Sequence, residues 1–198
     1  MNNKKLLKEE DLRRLIKGKS FGDFEPYASG SQEEIEDYLR KLVATLNDSS
    51  IVQVEARGIK AYDFCWGGGY SSFTDLFAFR RNGTGTRKLP HGFDEISGIR
   101  LYISRLTPLV AFNEDRLLIN PQGTGRSWGR LKSENLYLLP DPSWDVERDE
   151  ISTKITNAGY TFIPANLARE KLSFKANIPT ILTKPPYTIF DAVFYWYD

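Results

Sequence analysis

The sequence predicts an α+β domain: a mostly antiparallel sheet of about five to seven strands flanked by three to four helices. Three observations carry that expectation. Segments with two-residue alternation fill the middle of the chain, the clearest helical periodicity precedes them, and a second helical pattern follows. No repeating strand–helix–strand order is present, as a parallel sheet would require. The whole chain, 1–198, is expected to be one domain. A chain of this length buries roughly 70% of its unfolded surface without a disulfide or metal staple.

Taken in order, Lys4 to Lys17 has helical propensity with a narrow stripe of Leu12, Leu15 and Ile16. Residues 1–20 carry seven Lys/Arg against three acids and are expected to form a loosely attached basic helical arm. Gly18 to Gly30 is dense in turn formers. Ser31-Gln32-Glu33-Glu34 spells a capping box, in which the serine hydroxyl accepts the Glu34 amide and Glu34 reaches back. Behind it Ile35, Tyr38, Leu39, Leu42, Val43 and Leu46 recur at helical spacing.

From Ile51 the period changes to two, through Val52, Val54 and Ala56 and again through Tyr62, Phe64 and Trp66, with Gly58 as a bulge or bend between them. Gly67-Gly68-Gly69 is expected to be a loose turn, because YSSFTDLFAF follows it as strand rather than as the helix a phosphate loop needs. FTDLFAFRR is too apolar on both faces for a wet edge. GIRLYISRL alternates through Ile99, Leu101 and Ile103, and PLVAFNEDRLLIN is expected to be two short strands joined by a polar turn at Asn113–Arg116. Two GTG stretches, at Gly83–Gly85 and Gly123–Gly125, are expected to be strand-linking loops. A helix is expected from an Asp141 cap and Pro142 to a stop at Gly159, then the strand YTFIP and a short helix over residues 166–172. The C-terminal PTIL and YTIFDAVFYWYD are expected to be strands, the last with large side chains on both faces.

Composition excludes several functions. Net charge is +1 and the isoelectric point about 7.7, far from the basic balance of a nucleic-acid-binding domain. A single Cys forms no internal disulfide, the N-terminus has charges where a signal peptide needs an apolar run, and no apolar stretch is long enough to span a membrane. A soluble cytoplasmic protein, monomer or homodimer, is the expectation. One His and one Cys exclude the usual zinc sets, and the acids do not follow calcium-loop spacing, so neither metal nor cofactor is expected.

Chemistry-bearing candidates are few. Cys65 with His91, the one thiol and the one imidazole, is the only nucleophilic dyad the inventory permits, and it defines the alternative of a small hydrolase or transferase. Against it, Cys65 between Phe64 and Trp66 fits a buried strand residue. Arg126, Trp128 and Arg130 bracket a glycine- and serine-rich loop with the residue types most enriched at binding hot spots. Asp145, Glu147 and Asp149, or the acidic face of the Ser31 helix, would steer a partner's approach.

Across GYTFIPANLAREKL, PTIL and IFDAVFYWYD, roughly the last sixty residues, the chain resembles bacterial immunity proteins of polymorphic and contact-dependent toxin systems. The resemblance lies in a Gly-Tyr strand entry, aromatic-rich strands and mixed surface charge. It implies a small cytoplasmic α+β protein without catalytic residues that neutralises a cognate toxin by blocking its site. Inhibitors of nuclease toxins tend to be acidic; this chain is nearly neutral, so a non-nuclease toxin is at least as much to be expected as a nuclease.

Overall fold

The computed structural model describes residues 6–57, 59–60, 69–123, 126–127, 129–141 and 143–197. Phe73–Arg80, strand β3, has apolar or small side chains at nearly every position, and such a strand needs cover on both faces. It lies inside the sheet, antiparallel to β1 (Val52–Arg57) on one side and β5 (Asp94–Ser104) on the other. β6 (Leu109–Ile119) pairs with the far side of β5. Around these run α1 (Glu9–Ile16), α2 (Gln32–Asn47), β2 (Tyr70–Ser71), β4 (Thr86–Lys88) and β7 (Arg126–Ser127). The chain continues with α3 (Asp145–Asn157), β8 (Thr161–Phe162), α4 (Ala165–Arg169), α5 (Ile189–Val193) and β9 (Trp196–Tyr197). The main sheet has seven strands in the order β1-β3-β5-β6-β7, with β4 added to β5 and β8 to β6; β2 and β9 form a separate pair. Among the described residues only the β6–β8 pairing is parallel, so the expected α+β class and mostly antiparallel sheet hold.

Alternation divides the core. Leu76, Ala78, Ile99, Leu101, Ile103, Val110 and Phe112 face Ile35, Leu39, Leu42 and Leu46 of α2 and Ile151 and Ile155 of α3. Phe73, Tyr102, Leu109 and Ala111 face the opposite layer, made of α1, α4 and α5. The sheet is therefore sandwiched, with α2 capped as expected: Ser31 Oγ accepts the Glu34 amide at 3.2 Å, and Glu34 accepts the Ser31 amide at 2.7 Å.

Several expectations are corrected. Of the stretch 1–20 expected as a loose arm, the described residues 6–20 are not loose, because Leu7, Leu12 and Leu15 are buried against the C-terminal layer. β6 is one continuous strand through Asn113–Arg116. Its polar side chains there have partners, Asp115 on Arg100 and Arg116 on Glu95, so no turn is needed. α3 starts at Asp145 with Trp144 in the cap position, later than the Asp141 expectation, and stops as expected at Gly159, whose φ of +79° suits glycine. The last segment is a helix, α5, before a two-residue strand. The Thr188 hydroxyl accepts the Asp191 amide and Asp191 accepts the Thr188 amide at 2.7 Å, a capping box that starts a helix in an aromatic run. Residues 179–182 make no strand, although the Ile181 amide donates to the Trp196 carbonyl. The described residues thus hold five α-helices, more than expected. The Gly58 bulge, the Tyr62–Trp66 strand and the first two residues of the Gly67–Gly69 turn lie outside the described residues.

Gly98 in β5 sits where a Cβ would meet the Ala78 carbonyl oxygen at 2.4 Å and the Phe77 ring at 2.6 Å. Gly98→Ala is expected to lower stability by about 1–3 kcal/mol, against about 1 kcal/mol for Ser31→Ala at the α2 cap. Urea denaturation midpoints check both; equal midpoints for wild type and Gly98→Ala would show that β3 and β5 are not so closely apposed.

Candidate functional site

The nominated residues do not converge on one patch. Arg126 begins the two-residue β7 and Trp128 lies outside the described residues. Arg130 is exposed, and its Nη1 donates to the Leu182 carbonyl at 2.6 Å. It stands between two clefts: one of about 300 Å³ shared with Lys132, Leu182 and Lys184, and one of about 470 Å³ shared with Arg116, Leu138 and Asp141. Leu138 is 50% exposed, among the largest exposed apolar side chains described. Leu131, next to Arg130, packs into the α1/α4/α5 layer, whereas α3 belongs to the opposite layer.

On α3, Asp145 and Asp149 are exposed and both pair with Arg148, at 2.9 and 2.8 Å. Glu147 is a correction. Its carboxylate turns inward and takes Arg80 Nε at 2.6 Å and Nη2 at 3.2 Å, while Arg80 also donates to the Ser143 carbonyl and lies over the Trp144 ring. It fastens α3 to β3 and has no free face for a partner. His91 is exposed in the turn between β4 and β5, with a φ of +62°. Cys65 lies outside the described residues, so the dyad has no geometry to assess.

Two further arginines are deeply buried, and sequence periodicity did not single them out. Arg100 takes Asp75 bidentately, Nε to Oδ1 at 2.8 Å and Nη2 to Oδ2 at 2.6 Å, and reaches Asp115 with Nη1 at 3.2 Å. Burial works against the Arg100 charge, but Asp75 more than offsets it and holds the guanidinium above its ordinary value. Burial pushes the Asp115 carboxyl up, opposed by the Arg116 amide and by Arg100.

Arg105 is 3% exposed and lines a cavity of about 430 Å³ where α1, the first turns of α2 and the β2/β9 pair meet. Its Nη1 donates to the Ile59 carbonyl and lies 4.0 Å from Glu36 Oε1. Its Nε and Nη2 are buried and have no hydrogen-bond partner among the described residues. Desolvation lowers the guanidinium to about 10, partly countered by Glu36, so it remains charged at neutral pH. The signal was present in the sequence: Ile99, Leu101 and Ile103 alternate inward, and Arg105 occupies the next position of that period.

Among the described residues no helix is long and apolar enough to cross a membrane, and no group of three or more His, Cys, Asp or Glu side chains is placed to hold a metal ion. The chain matches no family model, no curated protein and no solved structure.

Asp75→Asn leaves Arg100 without its bidentate partner and is expected to cost about 3–5 kcal/mol; Asp145→Ala and Asp149→Ala are expected to stay within about 0.5 kcal/mol of wild type. Guanidinium chloride midpoints separate these outcomes. Asp115 gives a pH signature. Because folding raises its pKa, its contribution to stability is full below the ordinary carboxylate range and is lost as pH rises through the folded value. Asp115→Asn should remove that component from a stability profile taken between about pH 3 and pH 7.

Proposed function

We propose that the chain is a non-enzymatic binding protein of the immunity type, docking on a partner protein and blocking its site. The observation that supports it is the placement of Arg130, exposed between two adjoining clefts beside a half-exposed leucine and a rim of Lys132, Lys184 and Arg116. An arginine and an apolar anchor inside a charged rim are what a protein interface needs. The rim is mainly basic on the Lys132 side, which suits an acidic loop of the partner. Arg126 and Trp128 belong to the same stretch of sequence as Arg130, and Asp145 and Asp149, exposed on α3, supply opposite charge.

The buried charges support binding over catalysis. Asp75, Asp115 and Glu147 each hold an arginine that joins neighbouring elements, so these carboxylates serve the fold. His91 stands exposed on a hairpin turn.

Affinity capture from the source organism, followed by titration of the captured protein, tests the proposal. Arg130→Ala and Leu138→Ala should each weaken the complex, Arg130→Ala by roughly thirty-fold, with unfolding temperatures unchanged. A partner whose affinity is indifferent to both substitutions would dismiss this face, and co-expression that fails to relieve the partner's toxicity would dismiss the immunity role.

A further inference from the structure

Arg80 and Arg100 of the sheet engage carboxylates in one way, and Arg105, just past the end of β5, departs from it. Arg80 and Arg100 each present the Nε/Nη2 edge of the guanidinium to a carboxylate, Glu147 and Asp75 respectively. That edge offers two parallel N–H groups at the spacing of two carboxylate oxygens. On Arg105 the same edge has no acceptor among the described residues, although the residue is as deeply buried as Arg100. The carboxylate close by, Glu36, stands 4.0 Å from the other side, at Nη1, and its Oε1 also accepts the Gln32 amide nitrogen at 3.1 Å. A charged group buried with two donors unmatched is costly unless something else supplies the acceptor.

The surroundings indicate what supplies it. The cavity beside Arg105, at about 430 Å³, lies at the lower end of the range of small-molecule pockets. Its walls include the rings of Tyr70, Tyr195 and Tyr197, and Tyr195 has its hydroxyl committed to the Leu15 carbonyl at 2.8 Å. Tyr70 and Tyr197 lie 5.4 Å apart, centroid to centroid. Lys17 is exposed on the wall and favours an approaching anion. Glu36 on the same wall disfavours a dianion.

We propose that this cavity binds a small organic monocarboxylate, taken side-on by Nε and Nη2 of Arg105, with its apolar body against the Tyr70 and Tyr197 rings. The planar fork matches the two oxygens of a carboxylate, and the Glu36 charge on the same wall disfavours a phosphate dianion more than a monoanion. Both nitrogens are shielded in the present side-chain arrangement, so binding requires the guanidinium to turn into the cavity. The site shares no residue with the clefts beside Arg130 and stands independently of the partner-docking proposal.

Calorimetric titration of the full chain with phenylacetate, 4-methylpentanoate, methyl phenylacetate, phenyl phosphate and inorganic phosphate tests this, alongside the NMR signal of the Arg105 Nε–H. The two acids should bind, raise the unfolding temperature and shift that signal, while the uncharged ester does neither. Arg105→Lys keeps the charge but loses the fork, and should weaken the acids by roughly ten-fold or more. Glu36→Gln should tighten them. If Arg105→Lys does not fold, Arg105→Met combined with Glu36→Gln removes both charges together and should abolish binding. The proposal is overturned if neither acid binds up to the millimolar range, if either phosphate binds as tightly as the acids, or if the Arg105 variants bind like wild type.

Discussion

Where β3, β5 and β6 lie side by side, the Arg100 guanidinium is held by Asp75 from one neighbour and Asp115 from the other, with only 4% of the residue exposed. β3 is buried on both faces, so hydrophobic patterning alone gives it weak reasons to prefer one register over a slip by one residue. The charges supply the reason. A one-residue shift of β3 would carry Asp75 to the face where Ile99, Leu101 and Ile103 pack against α2, parting it from Arg100 and leaving that arginine with Asp115 alone. Close approach acts in the same sense: Gly98 lets the Phe77 ring and the Ala78 carbonyl lie almost against the β5 backbone, and no other residue fits there. Burial opposes the Arg100 charge and raises Asp115, while Asp75 and Asp115 together hold Arg100 above its ordinary value. The contribution of the ion pair is to make wrong pairings expensive.

With the register fixed, the end of β5 determines what the molecule presents. Ser104 closes the strand, its carbonyl accepting the Tyr27 hydroxyl at 2.8 Å, and that oxygen in turn lies 2.8 Å from the Tyr160 hydroxyl. The tyrosine pair seals the α2/α3 layer directly beneath Arg105. Past this point the two helical layers no longer meet across the sheet. α1 belongs to one layer and α2 to the other, and the space between their ends is the cavity lined by Arg105.

Much of this was legible in the sequence, and the exceptions have physical causes. The α2 helix was signalled by its capping box, and β3 by an apolar run that only an interior strand tolerates. The C-terminal helix was misread because β-favouring aromatics outweighed a Thr188–Asp191 cap, yet five residues are helical once their side chains find cover in the core. β6 was cut in two because Asn113–Arg116 looks like a turn when strand neighbours are unknown; Arg100 and Glu95 make it a strand. Glu147 was nominated as a surface charge, and nothing in one chain of letters shows that Arg80 stands opposite it. Arg105 was the reverse case. Its inward parity was visible, but an inward arginine acquires meaning only when its partners are counted.

Both proposed sites draw on the same stretch of chain. Pro179, Tyr195 and Tyr197 wall the Arg105 cavity, while Leu182, Lys184 and Phe194 wall one cleft beside Arg130. Between these points the chain is fastened by the Ile181 amide on the Trp196 carbonyl, by the Arg130 guanidinium on the Leu182 carbonyl, and by the Thr188–Asp191 cap. An occupant of the cavity touches the two ends of that segment, and a protein docked on the cleft touches its middle. Any energetic link between the two events must run through this segment, and by thermodynamic reciprocity it would act equally in both directions. The segment has few regular backbone pairings of its own, so its geometry depends on what it packs against. That dependence is why the C-terminal aromatics are more than core filling: they set one wall of each site at once.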